Sequence, residues 1–254
     1  MPQNNKDLRL AVLIDADNVP YTAIKEMMDE VGKYGYPTFK RIYGDFTTTQ
    51  LQGWKNVLNE HAISPMQQYS YTSGKNATDS ALIIDAMDML HSADVDGFFI
   101  VSSDSDFTKL ATRLREGGKR VFGMGEKKTP MPFIKACEKF IYIELLRAPL
   151  AKAKPAGSSK AAAPMHAVID SGTDLKKMMI TTIEDFADDM GWVTMAGLGS
   201  GLQKKQPEFD ARNYGYKRLS DLVRTLPYLE VQTRDGGSGN KNDYVRVKEA
   251  QKGR

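Results

Sequence analysis

Two short apolar runs, about ninety positions apart and each ending in acidic residues, constrain this chain of 254 residues more than any other feature. The first is Leu10-Ala11-Val12-Leu13-Ile14, followed by Asp15-Ala16-Asp17-Asn18. The second is Gly97-Phe98-Phe99-Ile100-Val101, followed by Ser102-Ser103-Asp104-Ser105-Asp106. Brief runs of β-branched and aromatic residues bounded by polar clusters read as buried parallel strands. In open α/β sheets, ligands gather beyond the carboxyl ends of such strands. Two strands that deliver carboxylates to one edge can build a divalent-cation site there.

Between and around these runs, strand and helix patterns alternate. A strand over 8–14 is followed by a helical pattern over 21–34, with Ile24, Met27, Met28 and Val31 at helical spacing. Strands are expected over 38–44 and 63–71, with a helix over 49–61 between them and a loop over 72–76. Residues 77–92 form a strong helix whose apolar side chains cover a wide face. It is expected to be mostly buried, leaving Asp79, Asp85 and Asp88 in need of solvent or a partner. Then come strand 97–101, helix 106–116 closed by Gly117-Gly118, strand 119–124, helix 132–140 and an edge strand over 141–143. Such alternation predicts an α/β domain: a parallel sheet flanked by helices on both faces.

From Ala148 to Pro164 the chain is small residues, Pro, Gly, Ser and Lys, with almost nothing to bury. That composition predicts a flexible linker over 148–173, between an N-terminal domain over 1–147 and a C-terminal domain over 174–250. The C-terminal part reads as a helix over 174–189, a segment over 210–214 leading into a helix over 219–225, and a hairpin of 229–232 with 244–247. Its turn contains Gly236-Gly237-Ser238-Gly239-Asn240. Helices followed by a β wing predict a small winged-helix domain.

No apolar stretch reaches the length of a membrane span, and the polar first residues carry no apolar signal region. A single cysteine, Cys137, forbids an intrachain disulfide and suits a reducing cytoplasm, the expected location. One cysteine and three histidines argue against structural zinc, so a metal would be hard and oxygen-bound. Residues 1–146 carry 17 basic against 19 acidic side chains, so polyanion binding there must use local patches. Gly123-Met124-Gly125 before Lys127-Lys128-Thr129 has the wrong glycine spacing for a phosphate loop, and Cys137 reads as a core residue.

Clustered carboxylates suit phosphodiester hydrolysis, in which they hold divalent ions. Asp15, Asp79, Asp104 and Asp106 stand on elements that all end at one sheet edge. Asp79 opens a helix at which the Thr78 hydroxyl is a candidate cap. For Asp17 the structural reading is preferred: it lies past the strand end and can cap the helix that Pro20 opens. Asp85 and Asp88 read as a solvated helix edge or as helix salt bridges, and Asp94 and Asp96 as turn residues.

Ile14-Asp15-Ala16-Asp17-Asn18, Lys75-Asn76-Ala77-Thr78-Asp79 and Val101-Ser102-Ser103-Asp104-Ser105-Asp106-Phe107 resemble the NYN family, including its LabA-like branch, within the PIN-like nucleases. The likeness spans about residues 8–146. It implies a PIN-like parallel sheet and RNA phosphodiester cleavage. Asp15, Asp79, Asp104 and Asp106 would be metal ligands or activators of water, Asn18 would support the site, and Mg²⁺ or Mn²⁺ would be the cofactor. Asn76-Ala77-Thr78 departs from the Gly-Val pair of many relatives but keeps the acid. Asp15-Ala16-Asp17 also resembles the first motif of haloacid-dehalogenase-type phosphatases, although Asn18-Val19 follows where Gly-Thr is usual. Lys40, Arg41 and Lys75 lie in or near the expected strands as candidates for phosphate contact.

In the C-terminal part, Gly191-Trp192-Val193, Leu198 to Lys205, Pro207 to Asp210 and Tyr214-Gly215-Tyr216-Lys217-Arg218-Leu219-Ser220-Asp221-Leu222-Val223 resemble an OST-HTH (LOTUS) domain. That likeness implies a winged helix that binds RNA, including G-rich structured RNA, and sometimes a protein partner. Lys204, Lys205, Lys217 and Arg218 supply charge for phosphates, Arg212 adds to it, and Tyr214 and Tyr216 offer rings for bases. Leu219 and Leu222 are expected in the small core. The expected function is a metal-dependent ribonuclease with an RNA-binding module. The competing class is a non-catalytic RNA-binding regulator whose acids hold a structural ion or ligand.

Overall fold

The computed structural model describes residues 8–69, 77–147, 172–235 and 241–248. The chain divides into two compact units, Met1–Ala148 and Pro149–Arg254.

The first unit is built on β1 (Leu8–Asp15), β2 (Gly35–Gly44), β3 (Ser64–Gln67), β4 (Gly97–Val101), β5 (Arg120–Gly125) and β6 (Lys139–Tyr142). All neighbours pair in parallel, in the order β3-β2-β1-β4-β5-β6. The helices are α1 (Ile24–Val31), α2 (Trp54–Glu60), α3 (Ala77–Ser92), α4 (Thr108–Glu116), α5 (Met131–Ala136) and α6 (Ile143–Arg147). This is the α/β, PIN-like architecture expected. Side chains alternate across β1: Leu10, Val12 and Ile14 enter one core with Trp54, Phe99 and Phe122, while Ala11 and Leu13 enter a second with Leu82, Phe98 and Phe133. Burial on both faces explains why these strands are uniformly apolar. The strand order reverses between β1 and β4, where a crevice opens beyond their carboxyl ends. Ile14 pairs with Val101, so Asp15 and Ser102 leave the sheet side by side.

Several boundaries differ from the sequence reading. The β2 strand starts at Gly35 and runs through Pro37. A register shift there passes from Leu10–Pro37 to Ala11–Phe39, a bulge that accommodates a residue without an N–H. The helix expected over 132–140 ends at Ala136, because Phe140 and Ile141 are taken into β6. Helix α3 is not mostly buried: Leu82, Ala86 and Met89 form its buried stripe, and Ile84 is 62% exposed. A helix on one face of a sheet needs a single apolar stripe, at spacings of three and four. Thr78 lies within the first turn of α3, whose preceding residues are outside those described.

The second unit contains α7 (Gly172–Phe186), β7 (Val193–Thr194), α8 (Met195–Lys205), α9 (Leu219–Thr225), β8 (Leu229–Asp235) and β9 (Lys241–Val247). The strands form an antiparallel sheet, β7-β9-β8, giving a winged-helix arrangement. Met179, Leu198, Leu202, Leu222, Val223 and Val245 occupy its core, and Leu219 packs against it partly buried. The loop of the hairpin and residues 148–171 of the expected linker lie outside the described residues. Among the described residues, no helix is long and apolar enough to cross a membrane.

Candidate metal centre

Asp15 is the last residue of β1 and is 1% exposed. Its Oδ1 accepts from the Asp17 amide (3.1 Å), and its Oδ2 accepts from Asn18 Nδ2 (2.7 Å) and Ser102 Oγ (2.7 Å). A carboxylate that deep is tolerable only with such donors. Ser102 was not singled out in the sequence reading, although its place between the apolar run and Asp104 was the available signal. Its Oγ also accepts from the Asp104 amide (3.1 Å), tying the ends of β1 and β4 together.

After Ser103, Asp104 takes the N-cap position of a 3-10 turn over Ser105–Phe107 and accepts from the Asp106 amide (2.9 Å). Asp79 arrives from the first turn of α3. Asp79, Asp104 and Asp106 each offer a carboxylate oxygen, all within 4.8 Å of one another. Asp15 lies outside that group of three but near enough to act on it electrostatically. Partial burial pushes the Asp79 carboxyl up to about 6, reinforced by the charges of Asp15, Asp104, Asp106 and Asp17. This concentration of negative charge favours a cation. Asp17 does not cap the next helix: Pro20 holds that N-cap position, without a side-chain hydrogen bond. Partial burial raises the Asp17 carboxyl as well, with Asp15 and Asp45 contributing.

Beneath α3, Asp85 is neither a solvated edge nor part of an intrahelical ion pair. It accepts from Arg41 on β2 and from the hydroxyl of fully buried Tyr43. Of the residues read as phosphate contacts, Arg41 is engaged in that pair, and Lys40 Nζ donates to the His61 carbonyl (2.5 Å). Lys75 lies outside the described residues. In the second unit, Lys204 stands over the Phe186 ring (5.8 Å) and Lys205 pairs with Asp185 (2.5 Å). Tyr214 packs on Phe209 (5.9 Å), and Tyr216 is partly buried against the same core. Arg212 pairs with Asp210 (2.7 Å). Lys217 and Arg218 are exposed beside the start of α9.

The raised Asp79 carboxyl has a testable sign. Its folded-state value, about 6, exceeds the ordinary 3.8, so protons favour the folded state between those values. In metal-free buffer this group therefore adds stability as pH falls from 7 through 6, and the contribution levels off below 3.8. A divalent ion bound by the folded state would raise the melting temperature at pH 7 and less at pH 5, since it competes with the proton. Asp79→Asn is expected to lose the metal-induced rise and to weaken the pH dependence. A metal-induced rise equal to that of the wild type would rule Asp79 out as a ligand.

The NYN domain family matches residues 9–144, and the OST-HTH/LOTUS domain matches residues 170–240. No curated protein sequence matches the chain. Among solved structures, a protein of unknown function from Vibrio parahaemolyticus is 21% identical over 56% of this chain and 96% of its own, with a TM-score of 0.47. An uncharacterized protein from Nitrosomonas europaea is 33% identical over 38% of this chain and 90% of its own, with a TM-score of 0.31. A protein from Chromobacterium violaceum is 39% identical over 30% of this chain and 80% of its own, with a TM-score of 0.26. With its parallel sheet and its acids gathered at the β1/β4 crevice, the chain belongs to the NYN domain family, a branch of a nuclease superfamily, and carries an OST-HTH/LOTUS domain after it.

Proposed function

We propose that this chain is a metal-dependent ribonuclease in which residues 1–147 cleave RNA and residues 174–250 hold it. The observation that carries this reading is the convergence of Asp79, Asp104 and Asp106 from two separate elements at the crevice where the strand order reverses. The donor set consists of carboxylate oxygens, which suits a hard cation such as Mg²⁺ or Mn²⁺. The raised Asp79 carboxyl supports the same fit, because the negative charges of Asp15, Asp104, Asp106 and Asp17 add to the effect of its burial. Asp79, Asp104 and Asp106 would hold the ion, with Asp15 behind them. When bound, such an ion supplies Lewis-acid activation of water and offsets charge on the phosphodiester. The chain itself fixes the geometry. Ser102 and Asn18 lock Asp15, and the 3-10 turn after Asp104 presents Asp106 on a short, stiff segment. A phosphatase reading with Asp15 as nucleophile is disfavoured, since both of its oxygens accept hydrogen bonds and it is buried.

For the second unit, exposed Lys217 and Arg218 support contact with RNA phosphates, while Tyr214 and Tyr216 serve more in packing than in stacking. A protein lacking residues 165–254 is expected to bind RNA about tenfold or more weakly, yet to cleave a short oligonucleotide at nearly the full rate, since each phosphate contact adds affinity and little chemistry. Binding by electrophoretic shift and single-turnover cleavage would separate the two. Loss of cleavage with retained binding would contradict this division of labour.

A further inference from the structure

A cavity of about 480 Å³ opens past the end of β1, with Asn18, Tyr21, Gln50, Trp54, Glu126 and Lys128 in its wall. That volume lies within the range of small-molecule sites. Two hydrogen bonds connect its wall to the acidic loops. Asn18 Nδ2 donates to Asp15 Oδ2 (2.7 Å), and the Glu126 amide donates to Ser103 Oγ (2.9 Å). These bonds join the cavity wall to Asp15 and to the segment that leads into Asp104.

The wall includes a prepared aromatic surface. Tyr21 is 42% exposed, although its ring is held firmly. It meets Trp54 edge-on at 6.4 Å and rests on Gly53, where a Cβ would come within 2.5 to 2.8 Å of three ring atoms. Glycine at 53 thus allows the ring to settle against the backbone, and Trp54 supports it from the core. The same wall carries Gln50, Asp17 and Lys128, whose ammonium pairs with Glu126 (2.7 Å). An exposed, supported aromatic ring in a wall that also carries hydrogen-bonding side chains and a lysine matches how proteins take unpaired bases of single-stranded RNA.

We infer that this cavity is a nucleobase subsite: it receives an unpaired base of the strand whose phosphate meets the acidic cluster, with the base stacked on Tyr21. The inference rests on the proposed ribonuclease reading for the identity of the ligand. It assigns Tyr21 and Gln50 to substrate binding, and neither belongs to the acidic site. Lys128 would meet a flanking phosphate.

The two tryptophans of the chain make the test direct. In protein labelled with 5-fluorotryptophan, Trp54 reports on the cavity and Trp192, in the second unit, serves as an internal reference. Adenosine 5′-monophosphate and ribose 5-phosphate, which has the same charge and no base, are titrated into the full-length protein with Mg²⁺ present. Expected is a saturable shift of the Trp54 resonance with the nucleotide alone. Tyr21→Phe should retain it, and Tyr21→Ala should weaken it about tenfold, the usual scale of one base–aromatic stack. An unchanged circular-dichroism spectrum and melting temperature would show that the Tyr21→Ala protein is folded. A Trp54 resonance that ignores the nucleotide, or that answers equally to ribose 5-phosphate, would overturn the inference. So would full binding by a folded Tyr21→Ala protein. If the wild type cleaves no RNA but Trp54 answers to the nucleotide, the ribonuclease reading fails and the subsite stands.

Discussion

Replacing Asp104 with Asn is expected to lower metal-dependent RNA cleavage by about 10²–10³-fold, the usual loss when one preorganised electrostatic group is removed. The fold should survive. The amide oxygen can still accept from the Asp106 amide, so the 3-10 turn over Ser105–Phe107 keeps its N-cap. What disappears is a negative charge within reach of Asp79 and Asp106. RNA affinity measured in EDTA should stay the same or rise, because the variant repels phosphate less. Circular dichroism, thermal melting and single-turnover cleavage distinguish these effects. Cleavage at the wild-type rate by the folded variant would remove Asp104 from the site.

The largest loss of stability is expected from Asp85→Ala. The change strands the Tyr43 hydroxyl in the core and leaves Arg41 without its carboxylate. Breaking a fully buried pair costs about 3–5 kcal/mol. Here Asp85 is 16% and Arg41 30% exposed, and solvent reaching them brings the expected cost to about 2–4 kcal/mol. At roughly 2–4 °C per kcal/mol, the melting temperature should fall by about 10 °C. Asp85→Asn, which keeps one acceptor, should lose less. Asp85 lies six residues after Asp79 on α3, about 9 Å along the axis. The Arg41–Asp85–Tyr43 group thus sets where α3 lies on β2 and, through it, where Asp79 stands. Asp85→Ala should therefore weaken metal binding as well as folding. A melting temperature within about 2 °C of the wild type would show that the group contributes little.

The strands around the crevice were legible because both sheet faces bury them, which leaves an uninterrupted apolar signature at residues 10–14 and 97–101. Acids placed directly after such runs were legible as site residues for the same reason. Helix α8 was not recognised. Gly197, Gly199 and Gly201 weaken its local signal, and the cause is tertiary: a Cβ on Gly201 would come within 2.8 Å of Phe186 and Thr182 on α7. The partner of Asp85 was equally hidden, since Arg41 and Asp85 lie 44 positions apart and meet only through the packing of α3 on β2. Ser102 and the cavity beside Asn18 depend on loop conformation, which periodicity does not encode. Side chains such as Lys40 and Arg41 looked like free charge in the sequence, whereas the fold uses them to cap a carbonyl and to hold a helix.

The central claim is that these carboxylates cleave RNA with a divalent ion, and one measurement addresses it directly. Full-length protein is incubated with several labelled single-stranded RNAs in Mg²⁺ or Mn²⁺, in EDTA, and as the Asp104→Asn variant. Cleavage is predicted with at least one of the two metals, none with EDTA, and about 10²–10³-fold slower cleavage by the variant. Binding of RNA without turnover in either metal would contradict the claim and favour a non-catalytic RNA-binding regulator.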